Sequence, residues 1–192
     1  MRILITGFEP FGSRNINISG EVAKAFEGKE NINVILLPVS FKQSHIKVIE
    51  AIDTNKYDII LLLGETSVTK DCIRLERLAI NFMDSINPDN DGIYANEEKL
   101  IEEAPPAYFT KFPIKPISSS LREKGYKIKI TNSAGTFVCN SLYFHVLHHI
   151  ESHNLPQIAL FIHLAASTEV ISIEEMCQTI MELIKRLLCQ ND

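Results

Sequence analysis

Cysteine is sparse in this sequence, and its four copies, Cys72, Cys139, Cys177 and Cys189, stand far apart with no CxxC pair. That spacing argues against a zinc site and against a redox dithiol, and it fits a reducing compartment, the cytoplasm. Long hydrophobic runs are missing too: no stretch approaches the roughly 18 apolar residues that suggest a membrane span. The apolar start, Met1 to Gly7, is too short for a signal peptide and reads as a first strand. There is no basic tract and the net charge is −5, so neither nucleic acid nor an anionic membrane is an expected partner. The glycines nowhere form GxGxxG, which removes the dinucleotide fingerprint. No internal repeat or low-complexity tract breaks the 192 residues, and one domain spanning 1–192 is expected.

What is present is an ordinary globular balance, 45% apolar and 22% charged. Arg2–Thr6, Ile32–Val39 and Tyr57–Leu63 are apolar runs, the last ended by Gly64. Between them lie Asn17–Phe26, with Val22, Ala23 and Phe26 on one stripe, and Phe41–Asn55, with Ile46, Val48, Ile49 and Ile52. Strands alternating with amphipathic helices predict an α/β fold, a parallel sheet with helices on both faces. Ile73–Phe82 alternates like a strand, whereas Met83 to Pro116 is irregular and reads as an insertion folded against the main sheet. A short helix over Ile117–Lys124, a strand over Tyr126–Thr131, a helix from Phe137 to about Ser152, a strand over Gln157–His163 and a final helix over Glu174–Leu188 complete the pattern.

The chemistry centres on Cys139, placed in the first turn of a helix entered through Ser133-Ala134-Gly135. A thiol there faces unpaired N–H groups and the positive end of the helix dipole, both of which favour a nucleophilic thiolate. The plain alternative is a packed cysteine. His163 closes a buried strand, and in a parallel sheet that end shares an edge with the helix start bearing Cys139; the alternative is a satisfied rim histidine. Glu76, between Arg74 and Arg77, either orients a histidine or forms a simple ion pair. Phe8 and Phe11 either wall a site for a small flat ligand or cap the core. His149 and His153, four apart, suit a metal or merely a helix surface, and His45 reads as a surface or packing residue.

Several blocks carry a resemblance. Gly7-Phe8-Glu9-Pro10-Phe11-Gly12, Leu75-Glu76-Arg77-Leu78-Ala79-Ile80-Asn81, Pro88-Asp89-Asn90-Asp91-Gly92, Ser133-Ala134-Gly135-Thr136-Phe137-Val138-Cys139-Asn140 and Phe161-Ile162-His163 follow the order and spacing of the pyroglutamyl peptidase I, or pyrrolidone-carboxylate peptidase, family. The resemblance implies a three-layer α/β/α sandwich around a mostly parallel twisted sheet, of phosphorylase/hydrolase-like type. It implies a cysteine exopeptidase that removes N-terminal 5-oxoproline from peptides, without metal or cofactor, as a homotetramer. By it, Cys139 is the nucleophile, His163 the base and Glu76 the orienting acid. Phe8, Phe11 and Phe137 would surround the lactam ring, with backbone around Glu65 hydrogen-bonding it. The chain departs from the family at Ile86, which stands where an arginine is usual. It departs again over Glu65-Thr66-Ser67-Val68-Thr69, where Gln-Ala-Gly-Gly-Arg is common, and in a shortened loop, Leu164 to Glu169. These departures leave an alternative reading, a non-hydrolytic relative that binds a small lactam or acyl ligand or serves as an assembly subunit.

Overall fold

The computed structural model describes residues 1–68 and 70–188; Thr69, Cys189 and the last three residues lie outside the described residues. The elements are β1 (Ile3–Phe8), α1 (Ile18–Lys24), β2 (Ile32–Leu37), α2 (Ser44–Thr54), β3 (Ile59–Thr66), β4 (Ile73–Glu76) and β5 (Leu78–Ile80). They continue with β6 (Ala107–Phe109), α3 (Ile114–Glu123), β7 (Ile128–Thr131), α4 (Val138–Ser152), β8 (Ile158–Ala165) and α5 (Ile173–Leu188). Six strands form one sheet in the order β2-β1-β3-β8-β4-β7. Every neighbouring pair is parallel except β8 with β4. Consequently β4 and β7 run against the other four strands, a feature the alternating pattern alone does not reveal.

Alternation along each strand divides the core into two halves. Ile3, Ile5, Ile59, Leu61, Leu63, Leu160 and Ile162 pack with α1, α3 and α5 on one face. Leu4, Ile60, Leu62, Ala159 and Phe161 pack with α2 and α4 on the other. Side chains two apart on a strand share a face, so Gly64, Glu76 and His163 all belong to the α4 side. The outcome is the expected mostly parallel sheet with helices on both faces, the α/β/α arrangement.

Several expected boundaries shift. Asn17 caps α1, which begins at Ile18, by accepting the Ser19 N–H. β1 runs through Gly7 to Phe8, because α1 crosses it without side chains in between: a Cβ on Gly7 would sit 2.3 Å from the Ser19 carbonyl oxygen. β3 does not stop at Gly64 but continues to Thr66, pairing with β8, which itself runs two residues beyond His163. The expected strand over 73–82 breaks at Arg77. Beyond it Leu78–Ile80 leaves the main sheet and pairs antiparallel with Ala107–Phe109. α2 begins at Ser44, and Ile46, expected inside, is exposed while Val48 and Ile52 carry the packing. α3 starts before Pro116, which is tolerated because first-turn N–H groups have no intrahelical acceptor anyway.

One buried amide and one buried carboxylate hold the insertion together and to the chain after β2. Asn81 accepts the Leu100 and Ile101 N–H groups and donates to the Ile101 and Ala104 carbonyls. Asp89 accepts the N–H groups of Phe41, Asp91 and Ile93. Of the histidines, His149 binds Asp53 and His153 Nδ1 reaches the His149 carbonyl. His45 stacks on His145 with ring centroids 3.9 Å apart.

That stack sets a pH dependence. Burial first, and the neighbouring His145 second, push His45 down to about 4, and burial likewise lowers His145. In the unfolded chain these imidazoles titrate near about 6.5. As pH falls below that value the unfolded chain takes up protons that the folded chain resists. Stability from this pair is therefore full above about pH 6.5 and is lost as pH falls toward about 4. The melting temperature is expected to drop across that window, and His45→Asn to flatten the slope; an equal slope in the variant would contradict the account.

Candidate active site

Glu76 ends β4 and is wholly buried, so its carboxyl must find donors within the protein. It finds three. The Arg74 guanidinium lies 3.2 Å from Oε1, the Thr131 hydroxyl donates to Oε2 at 2.6 Å, and His163 Nδ1 is 2.8 Å from Oε1. Arg74 is anchored in turn by the Thr131 hydroxyl and the Ser133 carbonyl. A carboxylate only accepts hydrogen bonds, so Nδ1 carries the proton and donates it, leaving the Nε2 lone pair free as a base. Of the two readings open for Glu76, the orienting carboxylate and the Glu–Arg pair, the structure makes it both.

The strand directions explain how this contact arises. β4 is antiparallel to β8, with Arg74 opposite His163 and Glu76 opposite Phe161, so Glu76 reaches the imidazole along the diagonal. The expectation that His163 and Cys139 meet because they share the carboxyl edge of a parallel sheet is therefore corrected. β7 runs the other way, and its last residue, Thr131, lies level with Glu76. Residues 132–137 then turn the chain back, with Gly135 at a φ of +84° and its N–H bound to the Ser133 hydroxyl. A positive φ of that size is one glycine adopts readily. The turn delivers Cys139 as the second residue of α4.

Gly64 brings the sulfur and the imidazole side by side. It pairs directly with His163 across β3 and β8, and a Cβ built on it would lie 3.0 Å from Cys139 Sγ and 2.7 Å from the Phe161 ring. The sulfur thus rests on the bare backbone beside His163. No hydrogen bond joins it to the imidazole among the described residues. The thiolate expected at the helix start is not favoured here. Burial, then the negative charges of Glu65 and Glu76, push the thiol up to about 12, and its own backbone N–H only partly offsets them. The sulfur is held as a thiol, and reaction requires a base to take its proton during attack.

In front of the sulfur opens a cavity of about 260 Å³, lined by Phe8, Phe11, Val39, Phe137, Val138 and Cys139 with Arg14, Asn17, Glu65, Ser67 and Ala166. All four residues expected to hold a ligand, Phe8, Phe11, Glu65 and Phe137, are in this wall. Phe137 is buttressed by Phe11 at 5.3 Å between centroids and edge-on by Phe41 at 5.2 Å. Such a slot suits a compact, mostly apolar group with a few polar atoms. Ile86 is 94% exposed and is not part of the lining.

Sequence reasoning missed three contributors. Arg14 contacts the Glu65 carboxylate within the cavity wall. Asn140, fully buried, accepts the Ile80 N–H and donates to the Ile80 and Phe82 carbonyls, pinning the start of α4 to β5. Thr131 completes the Glu76 donor set. Asn140 sits beside Cys139 in a distinctive block, a signal that could have suggested it; Arg14 and Thr131 carried none.

Residues 1–184 match the profile of the pyroglutamyl peptidase family. The pyrrolidone-carboxylate peptidase of Thermococcus kodakarensis is 40% identical over 172 residues, covering 88% of this chain and 83% of that protein. That of Thermococcus litoralis is 39% identical over 84% of this chain and 75% of its own length. Among solved structures, the pyrrolidone carboxyl peptidase of Fervidobacterium islandicum superposes with a TM-score of 0.90 at 31% identity, over 97% of this chain and 98% of that one. Pyroglutamyl peptidase I of Bacillus amyloliquefaciens gives 0.88 at 29% identity, over 95% and 94%.

The contact at Gly64 yields a test. In Gly64→Ala the new methyl must displace the Phe161 ring or the sulfur. Overpacking of this kind costs about 1–3 kcal/mol. Urea denaturation is expected to show an unfolding free energy lower by that amount, read as a lower midpoint at unchanged slope, and an unchanged midpoint would refute the close packing.

Proposed function

The chain belongs to the pyroglutamyl peptidase family, and from that membership we infer that it removes N-terminal pyroglutamyl (5-oxoproline) residues from peptides. It is a cysteine peptidase. Cys139 is the nucleophile, His163 the general base and acid, and Glu76 the residue that orients His163. The single observation carrying these roles is the buried Glu76–His163 hydrogen bond beside a cysteine sulfur that opens onto an aromatic cavity.

The lactam ring enters between Phe8, Phe11 and Phe137, and backbone at Glu65 meets its polar edge. As Sγ attacks the pyroglutamyl carbonyl carbon, His163 Nε2 takes the thiol proton, and Glu76 stabilises the resulting imidazolium. The carbonyl oxygen gains negative charge next to the first turn of α4, where the Cys139 N–H lacks an intrahelical acceptor and can donate to it. Collapse of the tetrahedral species breaks the amide bond. The leaving amine takes the proton from His163, and a thioester remains on Cys139. Water, deprotonated by His163, then releases pyroglutamate and restores the thiol. None of these steps calls on a metal or cofactor.

The non-hydrolytic alternative is not favoured: the reacting trio is intact, and of the departures that prompted it Ile86 is exposed and absent from the cavity lining, while Glu65 and Ser67 of the altered loop do line it. We place the enzyme in the cytoplasm, where a reducing environment keeps the sulfur free, and as a homotetramer, for which exposed Tyr94 and Phe109 offer apolar surface.

A fluorogenic pyroglutamyl amide decides the matter. Wild type is expected to release the fluorophore, and Cys139→Ala to lose at least about 10³-fold in kcat. Undiminished turnover in that variant would remove Cys139 from its role. Saturable pyroglutamate binding by a wild type that does not turn over would favour the binder.

A further inference from the structure

Glu65 is the one acidic residue and Arg14 the one basic residue lining the cavity. The carboxylate is half-buried and fully engaged: Oε1 meets Arg14, and Oε2 accepts the Ile18 N–H at 2.8 Å. Arg14 does more than neutralise it. A second guanidinium nitrogen donates to the Ala166 carbonyl at 3.3 Å, and the Arg14 backbone N–H binds the Phe11 carbonyl. One residue thereby ties together the loop carrying Phe11, through its backbone, and the end of β3 carrying Glu65 and the segment after β8, through its side chain. The planar fork of arginine holds two nitrogens rigidly toward two acceptors in this way, whereas a lysine brings one nitrogen on a flexible stem.

We propose that Arg14 is a positioning residue for this reaction, locking the Phe11 and Glu65 walls of the acyl pocket together and masking the Glu65 charge from the Cys139 sulfur. This rests on the assignment of Cys139 as the nucleophile. The charged and titratable groups gathered about that sulfur are Glu65 on β3 with its partner Arg14, and Glu76 on β4 with its partners Arg74 and His163. The first turn of α4 adds no acidic residue. Burial pushes the Glu65 carboxyl up, while the Ile18 N–H and Arg14 pull it back. Negative charge at Glu65 is the second cause, after burial, of the high thiol value. The pair therefore acts on the sulfur in opposite senses, Glu65 opposing its ionisation and Arg14 relieving that opposition.

The opposition makes the proposal testable without turnover. The rate of Cys139 alkylation by iodoacetamide, followed by mass spectrometry from about pH 6 to about pH 10, reports the thiolate fraction. Glu65→Gln keeps the shape and an acceptor but removes the charge. Its profile is expected to move to lower pH, with alkylation near neutral pH faster by up to about tenfold, one unit of acidity being tenfold in thiolate. Arg14→Met is expected to move the profile the other way in the range where Glu65 is ionised. It should also raise KM for the pyroglutamyl amide several-fold more than it lowers kcat, since the pocket wall is loosened. Arg14→Lys, which keeps charge but loses the fork, is expected to restore much of the alkylation profile but not KM; it also serves if Arg14→Met fails to fold.

A merely structural pair would shift neither profile, or would shift both the same way, and either result overturns the proposal. Absence of pyroglutamyl hydrolysis in the wild type, with the opposite shifts still present, would instead overturn the peptidase assignment and leave the electrostatic coupling standing.

Discussion

A carboxylate with no exposure to water, Glu76, is the constraint around which the catalytic half of the molecule is built. A buried charge without partners is costly by several kcal/mol, and its burial is tolerated only when donors surround it. The donors come from its own strand, from β7 and from β8. That supply requires β4 to lie between two strands while running against one of them. The reversed direction of β4 and β7 thus lets one carboxylate hold Arg74, Thr131 and His163 together. With Nδ1 committed to Glu76, the imidazole has a fixed orientation and a fixed tautomer, which is what a base needs.

The sulfur proposed as the nucleophile is handled in the opposite way. Nothing acidifies it strongly; it is packed on Gly64 and the Phe161 ring with two carboxylates nearby. A sulfur kept as the thiol is less exposed to oxidation and alkylation than a standing thiolate. In the proposed reaction its reactivity arises when a substrate carbonyl and His163 act on it together. The bare Cα of Gly64 matters here because it sets how near the sulfur can come to the β3–β8 pair that carries His163.

The pocket depends on segments remote from the reacting groups. Asn140 links α4 to β5, and Thr136 and Asp84 exchange hydrogen bonds that seat the turn before α4 against the insertion. Asp89 and Asn90 clamp the insertion to the chain after β2 and, through the Pro10 carbonyl, to the loop bearing Phe11. The conspicuous Pro88–Gly92 block therefore has a structural duty: it holds the walls of the slot, with Asp89 consumed by backbone N–H groups and Asp91 by the Ser40 hydroxyl and the Gln43 amide. The insertion is a brace for the site.

Local patterning was enough to give the alternation of strands and helices, the two-faced sheet and the helix start at Cys139, and it offered Cys139, His163 and Glu76 as candidates whose roles came only with the family resemblance. Each of these is written in residues a few positions apart, where periodicity reports which face is buried. The family blocks supplied the pocket residues Phe8, Phe11, Glu65 and Phe137. The direction of β4 and β7, the break at Arg77 and the continuation of β3 past Gly64 were decided by pairing between distant strands, which no local period encodes. The same holds for the Glu76–His163 bond, whose partners are 87 residues apart, and for the Arg14–Glu65 contact across 51. Even the protonation of Cys139 belonged to the tertiary structure. A helix start favours the thiolate wherever it occurs, but burial and neighbouring carboxylates, fixed only by packing, outweighed it.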